Sequence, residues 1–413
     1  MNAPLAPATR VWPAEGLTRV PYWIYQDPDI YALEQERIFR GATWTFLGLA
    51  AEIPNAGDWK TTFVGEMPVV VARDASGALH AFENRCAHRG ALLCLKRHGN
   101  SKEIACIYHN WTYDLAGNLT AVAFRRGIRG KGGMPPDAQP ESQAPRKLRL
   151  ANYHGLLFGT LSERTPPIED YLGSEIAVRA RRVMKEPVKV LGSYSQLLPN
   201  NWKLYLDNVK DTYHASLLHL FFTTFRINRL SQDGGVIVGG DGGHHVSYTL
   251  RNTGTRGEEY EKDRMRSAQD GFRLEVPDVL DSVDEFGDGI TIQILASFPG
   301  FVLHQIMNSL AVRQVIPKGV GRTELVWTCF GFAGDDEAMT ARRLRQANLV
   351  GPAGFISMED GAATGFVQRG VAGAPDRASV VEMGGRAVGS DPSRVNETSV
   401  RGLWQAYRGH MGF

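Results

Sequence analysis

The sequence predicts an α+β fold in which an all-β module precedes a mixed domain. Residues 43–161 consist of short apolar segments broken by Gly, Pro and Asn, such as MPVVVARD followed by ASGALHAFEN. Short strands joined by turn residues indicate an all-β module. Beyond it, helix-like and strand-like stretches occur in separate runs, which favours α+β over a doubly wound sheet. We expect a helical segment at 1–42 that packs on a mixed domain at 162–413.

The mixed domain has helix-like and strand-like stretches on both sides of a polar segment. Helices are expected at 168–186, 201–222, 335–348 and 400–413, and strands at 188–198, 289–298, 300–316 and 323–334. Residues 223–289 are rich in Gly, Thr, Asn and charged residues, which predicts loops that leave the core. This segment is a candidate for a lid over a pocket.

The bulk composition is that of an ordinary globular protein. The 413 residues include 46 Lys and Arg against 44 Asp and Glu, so no basic excess points to nucleic acid or an anionic membrane as partner. No apolar run is long enough to span a bilayer, and residues 1–16 lack the apolar region of a secretory signal. We therefore expect a cytoplasmic protein, in which close Cys and His pairs indicate metal binding rather than disulfides.

The first candidate metal site lies in the segment ENRCAHRGALLCLKRHGNSKEIACIYHNW. Cys86-x-His88 is followed, after seventeen intervening residues, by Cys106-x-x-His109. Two thiolates for one iron and two imidazoles for the other are the ligand set of a Rieske [2Fe–2S] centre. A mononuclear zinc site would use C-x₂₋₄-C and H-x₃₋₅-H pairs instead. The alternating spacing therefore favours the Rieske centre.

Four other Cys and His residues are expected to have structural roles rather than to bind a metal. Cys94 lies between the two ligand loops, and Cys329 lies in an apolar strand-like run. Both are expected to be buried thiols that pack as small apolar groups. His244 and His245 are flanked by glycines, and we expect them to lie in a turn and strand rather than in a third metal site.

A second candidate metal site contains Asp211, His214 and His219 in NNWKLYLDNVKDTYHASLLHLFF. Positions five apart lie about 140° from each other on an ideal helix, so both histidines face one ion only if the helix breaks or bulges between them. Two histidines and a carboxylate form the triad of non-haem Fe(II) oxygenases. Asp211 is either that carboxylate or a hydrogen-bond partner of an imidazole. Asp360 and Glu359 are the downstream alternatives, unless they are solvent-facing helix residues.

The sequence resembles a known family, the α subunits of Rieske non-haem iron aromatic-ring oxygenases. The resemblance extends over nearly the whole chain, and the stretches that carry it are CAHRG, CIYHNWTYDLAGNL, NWKLYLDNVKDTYHASLLH, GPAGFISMEDG and ETSVRGLWQAYRGHMG. It implies an all-β Rieske domain before an α+β helix-grip catalytic domain with a curved antiparallel sheet.

The resemblance also implies roles for individual residues of the second site. It makes His214, His219 and Asp360 the ligands of a mononuclear Fe(II). It makes Asp211 a bridging carboxylate that links an iron-ligating histidine to a Rieske histidine of a neighbouring subunit. Asn208 falls at the position of a family asparagine near the iron.

Within the family, the resemblance is greatest to members that oxidise terephthalate, a benzene dicarboxylate. It implies that Arg313 and Arg394 each bind one substrate carboxylate. Arg313 lies in the apolar strand-like run SLAVRQVIP, and a buried arginine needs an anion, either from the substrate or from an internal Asp or Glu. Arg394 lies in a loop-like context, where a solvent-exposed arginine is the default expectation.

The resemblance finally implies cofactors and partners. These are a [2Fe–2S] cluster, Fe(II), O₂ as co-substrate, NADH used through a separate reductase, and a small β subunit in an α₃β₃ hexamer. The chain has no G-x-G-x-x-G after a strand and no C-x₄-C-x₂-C run, so we expect electrons to come from another protein. The expected product from terephthalate is its 1,2-cis-dihydrodiol. A related oxygenase acting on salicylate, anthranilate or another benzoate is the alternative, and an electron-transfer Rieske protein or a zinc-binding module is more remote.

Overall fold

The computed structural model describes residues 10–251, 260, 262–265, 271–351 and 354–413. The candidate lid at 223–289 and the GPAGF stretch therefore fall partly outside the described residues. The chain divides into two compact units, one formed by Phe39–Thr165 and one by Pro166–Phe413 together with the residues up to Ile38. Among the described residues, none of the helices combines the length and apolarity that a bilayer crossing requires.

The described N-terminal residues form a short strand and a helix. Strand β1 (Arg19–Pro21) pairs with Ala378–Val380 near the other end of the chain. Helix α1 (Pro28–Glu34) begins after Asp27, whose carboxylate accepts hydrogen bonds from the N–H groups of Asp29 and Ile30 at 2.9 and 3.3 Å. This cap satisfies donors that the first turn of a helix leaves free.

The unit formed by Phe39–Thr165 is all-β, as predicted. Its strands are β2 (Thr45–Leu49), β3 (Asp58–Val64), β4 (Met67–Arg73), β5 (Leu79–Glu83), β6 (His98–Asn100), β7 (Ile104–Ala105), β8 (Thr112–Tyr113), β9 (Leu119–Ala121), β10 (Arg149–Tyr153) and β11 (Leu156–Thr160). They form three antiparallel sheets in the orders β10-β11-β2, β5-β4-β3-β6 and β7-β8-β9. One buried cluster of this unit contains Val70, Phe82 and Tyr113 together with Cys86 and Cys106, so the candidate Rieske cysteines are part of its core.

The other unit is built on one seven-stranded antiparallel sheet. Its strands are β12 (Val188–Leu198), β13 (Gly234–Gly239), β14 (His244–Leu250), β15 (Ile290–Ser297), β16 (Phe301–Ile306), β17 (Ser309–Pro317) and β18 (Thr323–Phe332), and β19 (Ala378–Val380) pairs with β1. The order is β12-β18-β17-β16-β15-β14-β13. Every residue of β17 is buried, whereas the edge strand β12 is mostly exposed or half-buried.

Helices pack against this sheet and against each other. They are α2 (Ile168–Leu172), α3 (Ser174–Val183), α4 (Trp202–Lys210), α5 (Ala215–Leu218), α6 (Leu220–Thr224), α7 (Glu337–Val350), α8 (Phe355–Gly370) and α9 (Thr398–Met411). Helix α4 packs against β15 and β17 of the sheet and against α8. This packing matters for function because α4 leads into the two predicted histidines and α8 carries Asp360.

Three element predictions were wrong in detail. Residues 300–316 are a hairpin rather than one strand, because Met307 adopts φ 53° in a tight turn between β16 and β17. The expected helix at 168–186 is two helices separated by Gly173, at φ 75°. Residues 223–289 contain β13 and β14 of the main sheet, which their glycine-rich composition concealed.

A buried ion pair joins α1 to α4. Glu34 and Lys203 are 0% and 1% exposed, and Glu34 accepts hydrogen bonds from Lys203 Nζ and the Tyr407 hydroxyl, each at 2.5 Å. The Trp202 indole N–H donates to the other carboxylate oxygen at 2.7 Å. We expect Glu34→Ala to lower the free energy of unfolding by about 3–5 kcal/mol, because Lys203 is then buried without a counter-charge.

Chemical denaturation followed by tryptophan fluorescence measures this effect. The matched control is Glu382→Ala, which breaks the half-exposed pair with Arg19 and should cost less than about 1 kcal/mol. Equal losses in the two variants would contradict a structural role for the buried pair.

Candidate metal centres and pocket

Two loops of the all-β unit present the predicted Cys and His residues in matching conformations. In each loop, the N–H of Cys86 or Cys106 donates to the carbonyl five residues further on, and the N–H four residues further on donates back to the cysteine carbonyl. Gly90 and Asn110 therefore occupy equivalent positions, and both have left-handed φ values of 74° and 58°. Glycine and asparagine tolerate this conformation best, so the sequence permits the same loop twice.

The two loops bring the four predicted ligands together. Cys86 and Cys106 are 4% and 2% exposed, whereas His88 lies at the surface and its Nδ1 is 3.1 Å from Nδ1 of His109. The Tyr113 hydroxyl lies 3.3 Å from the Cys86 sulfur. Burial, with a further contribution from Cys106, raises the pKa of Cys86, and a bound cation offsets this by stabilising the thiolate. Two inner thiols and two outer imidazoles fit a [2Fe–2S] cluster.

The helix that carries the second set of histidines breaks twice, as the spacing argument requires. Helix α4 ends where Asp211 becomes extended, with φ −78° and ψ 111°. His214 directly precedes α5, and His219 separates α5 from α6 with a non-helical ψ of 83°. The helix ends at His219, and the ring centroids of His214 and His219 lie 5.3 Å apart, so both imidazoles can face one point.

That point is a triad of His214, His219 and Asp360. The Nε2 atoms of the two histidines lie 3.4 and 3.3 Å from the same oxygen of Asp360. Asp360 is 7% exposed, and this oxygen is buried without a hydrogen-bond partner among the described residues. Donor atoms about 2.1 Å from one ion and about 100° apart lie about 3.2 Å from each other. The three residues therefore fit a mononuclear metal ion.

Carboxylates stand behind both imidazoles. Asp211 Oδ2 lies 3.3 Å from His214 Nδ1, and Glu359 Oε2 lies 2.7 Å from His219 Nδ1. Metal-bound histidines usually have such a partner on the outer nitrogen, which fixes the ring orientation. Glu359 was an alternative candidate for the third ligand. In the structure, Asp360 faces the Nε2 atoms of both histidines, whereas Glu359 faces Nδ1 of His219. Neighbours about 100° apart on a helix can flank one ring in this way.

The electrostatics of the triad favour a bound cation. Burial opposes protonation of His214, but the carboxylates of Asp211 and Asp360 raise its pKa to about 10. Burial likewise opposes ionisation of Asp360, and His219 and His214 together hold its pKa well below the usual range. Excess negative charge is therefore gathered here, and a metal ion takes the place of the protons that the histidines otherwise bind.

Asn208 and the two predicted arginines line the same cavity as the triad. The Asn208 side-chain nitrogen lies 3.3 Å from His214 Nε2. Arg313 and Arg394 are 7% and 5% exposed, so Arg394 is buried and the default expectation of an exposed residue was wrong. The apolar part of the lining consists of Val209, Ala215, Phe222, Ile292, Ile294, Ile306 and Ile356.

Neither arginine has a carboxylate partner among the described residues. Arg313 contacts the Tyr205 hydroxyl and His304, and Arg394 contacts Asn228 and two backbone carbonyls. The Nε of each guanidinium is buried without a hydrogen-bond partner. Burial lowers the pKa of Arg394 to about 10. Two guanidiniums without a paired carboxylate among the described residues, in one cavity, indicate a site for anionic groups.

The residues given structural interpretations do lie in structural positions. Cys94 is buried, and its backbone exchanges hydrogen bonds with the side chain of Asn84. Cys329 lies in β18, where it pairs with Ala311. His244 and His245 begin β14, and His244 Nδ1 lies 2.9 Å from the Ser297 hydroxyl. None of these four belongs to the triad.

Glu359 gives a testable prediction for the mononuclear site. We expect Glu359→Gln to weaken iron binding by about 10- to 100-fold, because the anionic partner that orients His219 is lost. Competition with a chelator of known affinity measures the change. The control is the exposed neighbour Met358→Leu, which should bind iron as the unmodified protein does. Unchanged affinity in Glu359→Gln would show that the contact at 2.7 Å plays no part in metal binding.

These two sites define a class of protein. The chain combines paired Cys/His loops on an all-β unit with a His/His/Asp triad beside a cavity. These two sites together are typical of a Rieske non-haem iron oxygenase. Comparison with known proteins then identifies the family. Residues 43–129 match the Rieske [2Fe–2S] domain, and residues 175–412 match the catalytic domain of the ring-hydroxylating α subunit. The chain belongs to the ring-hydroxylating oxygenase α subunits.

Similar proteins agree with this assignment. The chain is 56% identical, over 97% of each chain, to the α 2 subunit of the terminal oxygenase component of terephthalate 1,2-dioxygenase from a Comamonas species. It is 45% identical to the anthranilate 1,2-dioxygenase large subunit of Burkholderia cepacia, over 97% of this chain and 95% of that one. The fold resembles that of naphthalene 1,2-dioxygenase from a Rhodococcus species, with a TM-score of 0.79, 23% identity and 95% and 94% of the two chains covered.

Family membership confirms the fold class and the cofactors predicted from the sequence. The protein is an oxidoreductase that uses a [2Fe–2S] cluster, mononuclear iron and O₂, with electrons from NADH through a reductase. As an oxygenase component, it works with other proteins that supply those electrons.

Proposed function

We propose that the chain is the terminal oxygenase subunit that cis-dihydroxylates terephthalate. The observation that carries this proposal is the pair of buried guanidinium groups, Arg313 and Arg394, in the cavity of the His214/His219/Asp360 triad. A dianion enters a mostly apolar cavity only if both charges are compensated there. Each arginine offers a planar set of donors to one carboxylate, and the isoleucines that line the cavity offer apolar surface to the ring.

We propose that each metal centre is held by the residues that the structure brings together. The [2Fe–2S] ligands are Cys86, His88, Cys106 and His109, and the Fe(II) ligands are His214, His219 and Asp360. The first group of four belongs to a Rieske domain at 43–161, and the triad belongs to a catalytic domain at 162–413 on which residues 1–42 pack. When bound, the metals supply electron transfer and O₂ reduction. The protein supplies orientation of the ring, a largely dry cavity and compensation of charge.

Asp211 and Asn208 are proposed to act on His214 from its two sides. Asp211 holds the outer nitrogen, and Asn208 lies near the inner one. The Asp211 side chain is 22% exposed, which leaves room for a second histidine from a neighbouring subunit. This supports a bridging role for Asp211 and, with it, an assembly of several α subunits. We propose the α₃β₃ form with a small β subunit, served by an NADH-dependent reductase in the cytoplasm.

The proposed reaction balances with one NADH for each ring. Terephthalate, O₂, NADH and one proton give the 1,2-cis-dihydrodiol of the dicarboxylate and NAD⁺. Two new C–O bonds form at adjacent ring carbons and aromaticity is lost. The two electrons come from NADH outside this chain, so the chain needs no nucleotide site of its own.

A panel of benzene carboxylates tests the proposal. The purified oxygenase with reductase, NADH and Fe(II) is given terephthalate, benzoate, anthranilate and salicylate, and oxygenated products, including cis-diols and phenols, are detected by mass spectrometry. Terephthalate should have the highest kcat/KM, because only it engages both arginines. If only the monocarboxylates give product, the alternative of a benzoate-, anthranilate- or salicylate-type oxygenase is correct and the terephthalate assignment is wrong.

A further inference from the structure

We propose that His304 is a positioning residue that holds the Arg313 guanidinium toward the cavity and thereby sets specificity for the carboxylate that this arginine binds. The inference rests on the proposed function, which it deepens by naming a determinant outside the cavity wall. His304 is absent from the residues that line the cavity, so its effect on substrate must pass through Arg313.

A cage of neutral side chains surrounds the Arg313 guanidinium. Nη2 of Arg313 lies 2.9 Å from Nδ1 of His304, and Nη1 donates to the Tyr205 hydroxyl at 3.1 Å. The Trp327 ring lies under the group, with its centroid 4.3 Å from Cζ. A cation stacked on an aromatic face and bonded to neutral acceptors is stabilised without losing its charge, so the full charge remains for a ligand.

The strand register places these side chains on one face of the sheet. In the pairing of β16 with β17, His304 lies opposite Ala311, two residues before Arg313. In the pairing of β17 with β18, Arg313 lies opposite Trp327. Diagonal and direct cross-strand neighbours are within reach of long side chains. The cage is therefore fixed by three adjacent strands, and Tyr205 completes it from α4.

Hydrogen-bond chemistry determines the form of the His304 ring. A guanidinium only donates, so Nδ1 must accept and the ring proton must be on Nε2. That Nε2 is buried and has no partner among the described residues, which destabilises the fold. Burial and the positive charge of Arg313 both lower the pKa of His304, so the ring stays neutral. Among the described residues, the one hydrogen bond of the His304 ring is the one that Nδ1 accepts from the Arg313 guanidinium.

The second arginine is held differently. Arg394 donates to the carbonyls of Arg229 and Gln232 and to the Asn228 side chain. Two of its three partners are backbone atoms, which no side-chain substitution removes. Among the described residues, Arg313 hydrogen-bonds only to side chains, so its orientation depends in part on the identity of residue 304. This asymmetry means that one of the two carboxylate sites can be retuned by a single substitution behind the cavity.

Variants at residue 304 distinguish the effect of the Nδ1 acceptor from the effect of the rest of the ring. His304→Phe and His304→Leu replace the imidazole with an apolar side chain, so the acceptor is lost. His304→Asn places an amide oxygen where Nδ1 lies. We expect the two apolar variants to raise the KM and the Kd for terephthalate about tenfold or more with kcat changed less than about threefold, because Arg313 is free to turn away. His304→Asn should restore the KM to within about threefold of the original value. Kd is measured by calorimetry under anaerobic conditions.

The matched control is His245→Leu. His245 is also fully buried in the sheet, and both its ring nitrogens lack partners among the described residues, but it is not among the hydrogen-bond partners of either arginine. It should leave the KM for terephthalate unchanged. Rieske absorption and iron content, which should be unaltered in every variant, report that each protein is folded.

The outcomes distinguish this inference from the function on which it rests. If the unmodified protein binds no benzene dicarboxylate, the proposed function and the role of His304 both fail. If it binds terephthalate and the apolar variants at 304 bind it equally well, only the role of His304 fails. A rise in KM that His304→Asn does not reverse would also overturn it, because the acceptor would then not be the cause.

Discussion

Replacing Asp360 by alanine is expected to abolish turnover while leaving the Rieske centre intact. Asp360 supplies the one oxygen that faces both His214 Nε2 and His219 Nε2. Without it, two neutral imidazoles remain, and the proposed Fe(II) site loses the anionic ligand of the triad. Iron content should fall from about three to about two atoms per chain, and turnover should fall by about three orders of magnitude or more.

Metal analysis and visible absorption measure the two parts of this prediction separately. The control is Asp376→Ala. Asp376 lies exposed beyond the end of α8, so this substitution should change neither the iron content nor the visible absorption. An Asp360→Ala protein that keeps its third iron and its activity would remove Asp360 from the site. A protein that loses the Rieske absorption as well would show a general folding defect, which the control variant and a thermal melt identify.

Removing either cavity arginine should cause the second largest effect. We expect Arg313→Met and Arg394→Met each to lower kcat/KM for terephthalate by about 100-fold, which corresponds to about 3 kcal/mol. The reason is that one carboxylate of the dianion is then buried without a counter-charge. Methionine keeps much of the side-chain volume, so the loss reports charge and hydrogen bonding more than cavity shape.

Benzoate provides the internal comparison for the arginine variants. A monocarboxylate engages one arginine, so one of the two substitutions should affect benzoate far less than terephthalate. Arg369→Met, on the exposed face of α8, is the control and should leave both substrates unchanged. If neither cavity variant changes the kinetics with terephthalate, the two guanidiniums bind something other than substrate.

The Rieske site was predictable from the sequence because its geometry is local. Each Cys/His pair lies within one short loop. The spacing of Cys86, His88, Cys106 and His109 therefore predicts which loop supplies which ligand atom. The all-β module around it was predictable for a similar reason, since turn residues interrupt its strands at short intervals. The matching backbone at Gly90 and Asn110 was visible only in the structure.

The triad was less predictable because its third member is distant in the chain. The 140° argument showed that a break between His214 and His219 was needed, but no sequence signal locates the extended Asp211 or the non-helical His219. The choice between Glu359 and Asp360 came from family resemblance. In the structure it follows from the direction in which adjacent helix positions point, and this also gives Glu359 a contact that the sequence reasoning missed.

The cavity was the least predictable part. Arg394 lies in a segment without regular structure, and its burial depends on Asn228 and carbonyls about 165 residues away. Strand β13 was taken for a loop because glycines flank its short apolar run, and of β14 only its start at His244 and His245 was expected to be a strand. Such positions are determined by long-range pairing, which local composition does not encode.

The fate of molecular oxygen tests the central claim most directly. The oxygenase is supplied with reductase, NADH, Fe(II), terephthalate and ¹⁸O₂, and the product is analysed by mass spectrometry. A cis-dihydroxylating enzyme places both ¹⁸O atoms in one dicarboxylate product and consumes one NADH for each molecule formed. A product with a single ¹⁸O atom, or NADH oxidation without any oxygenated dicarboxylate, would contradict the account.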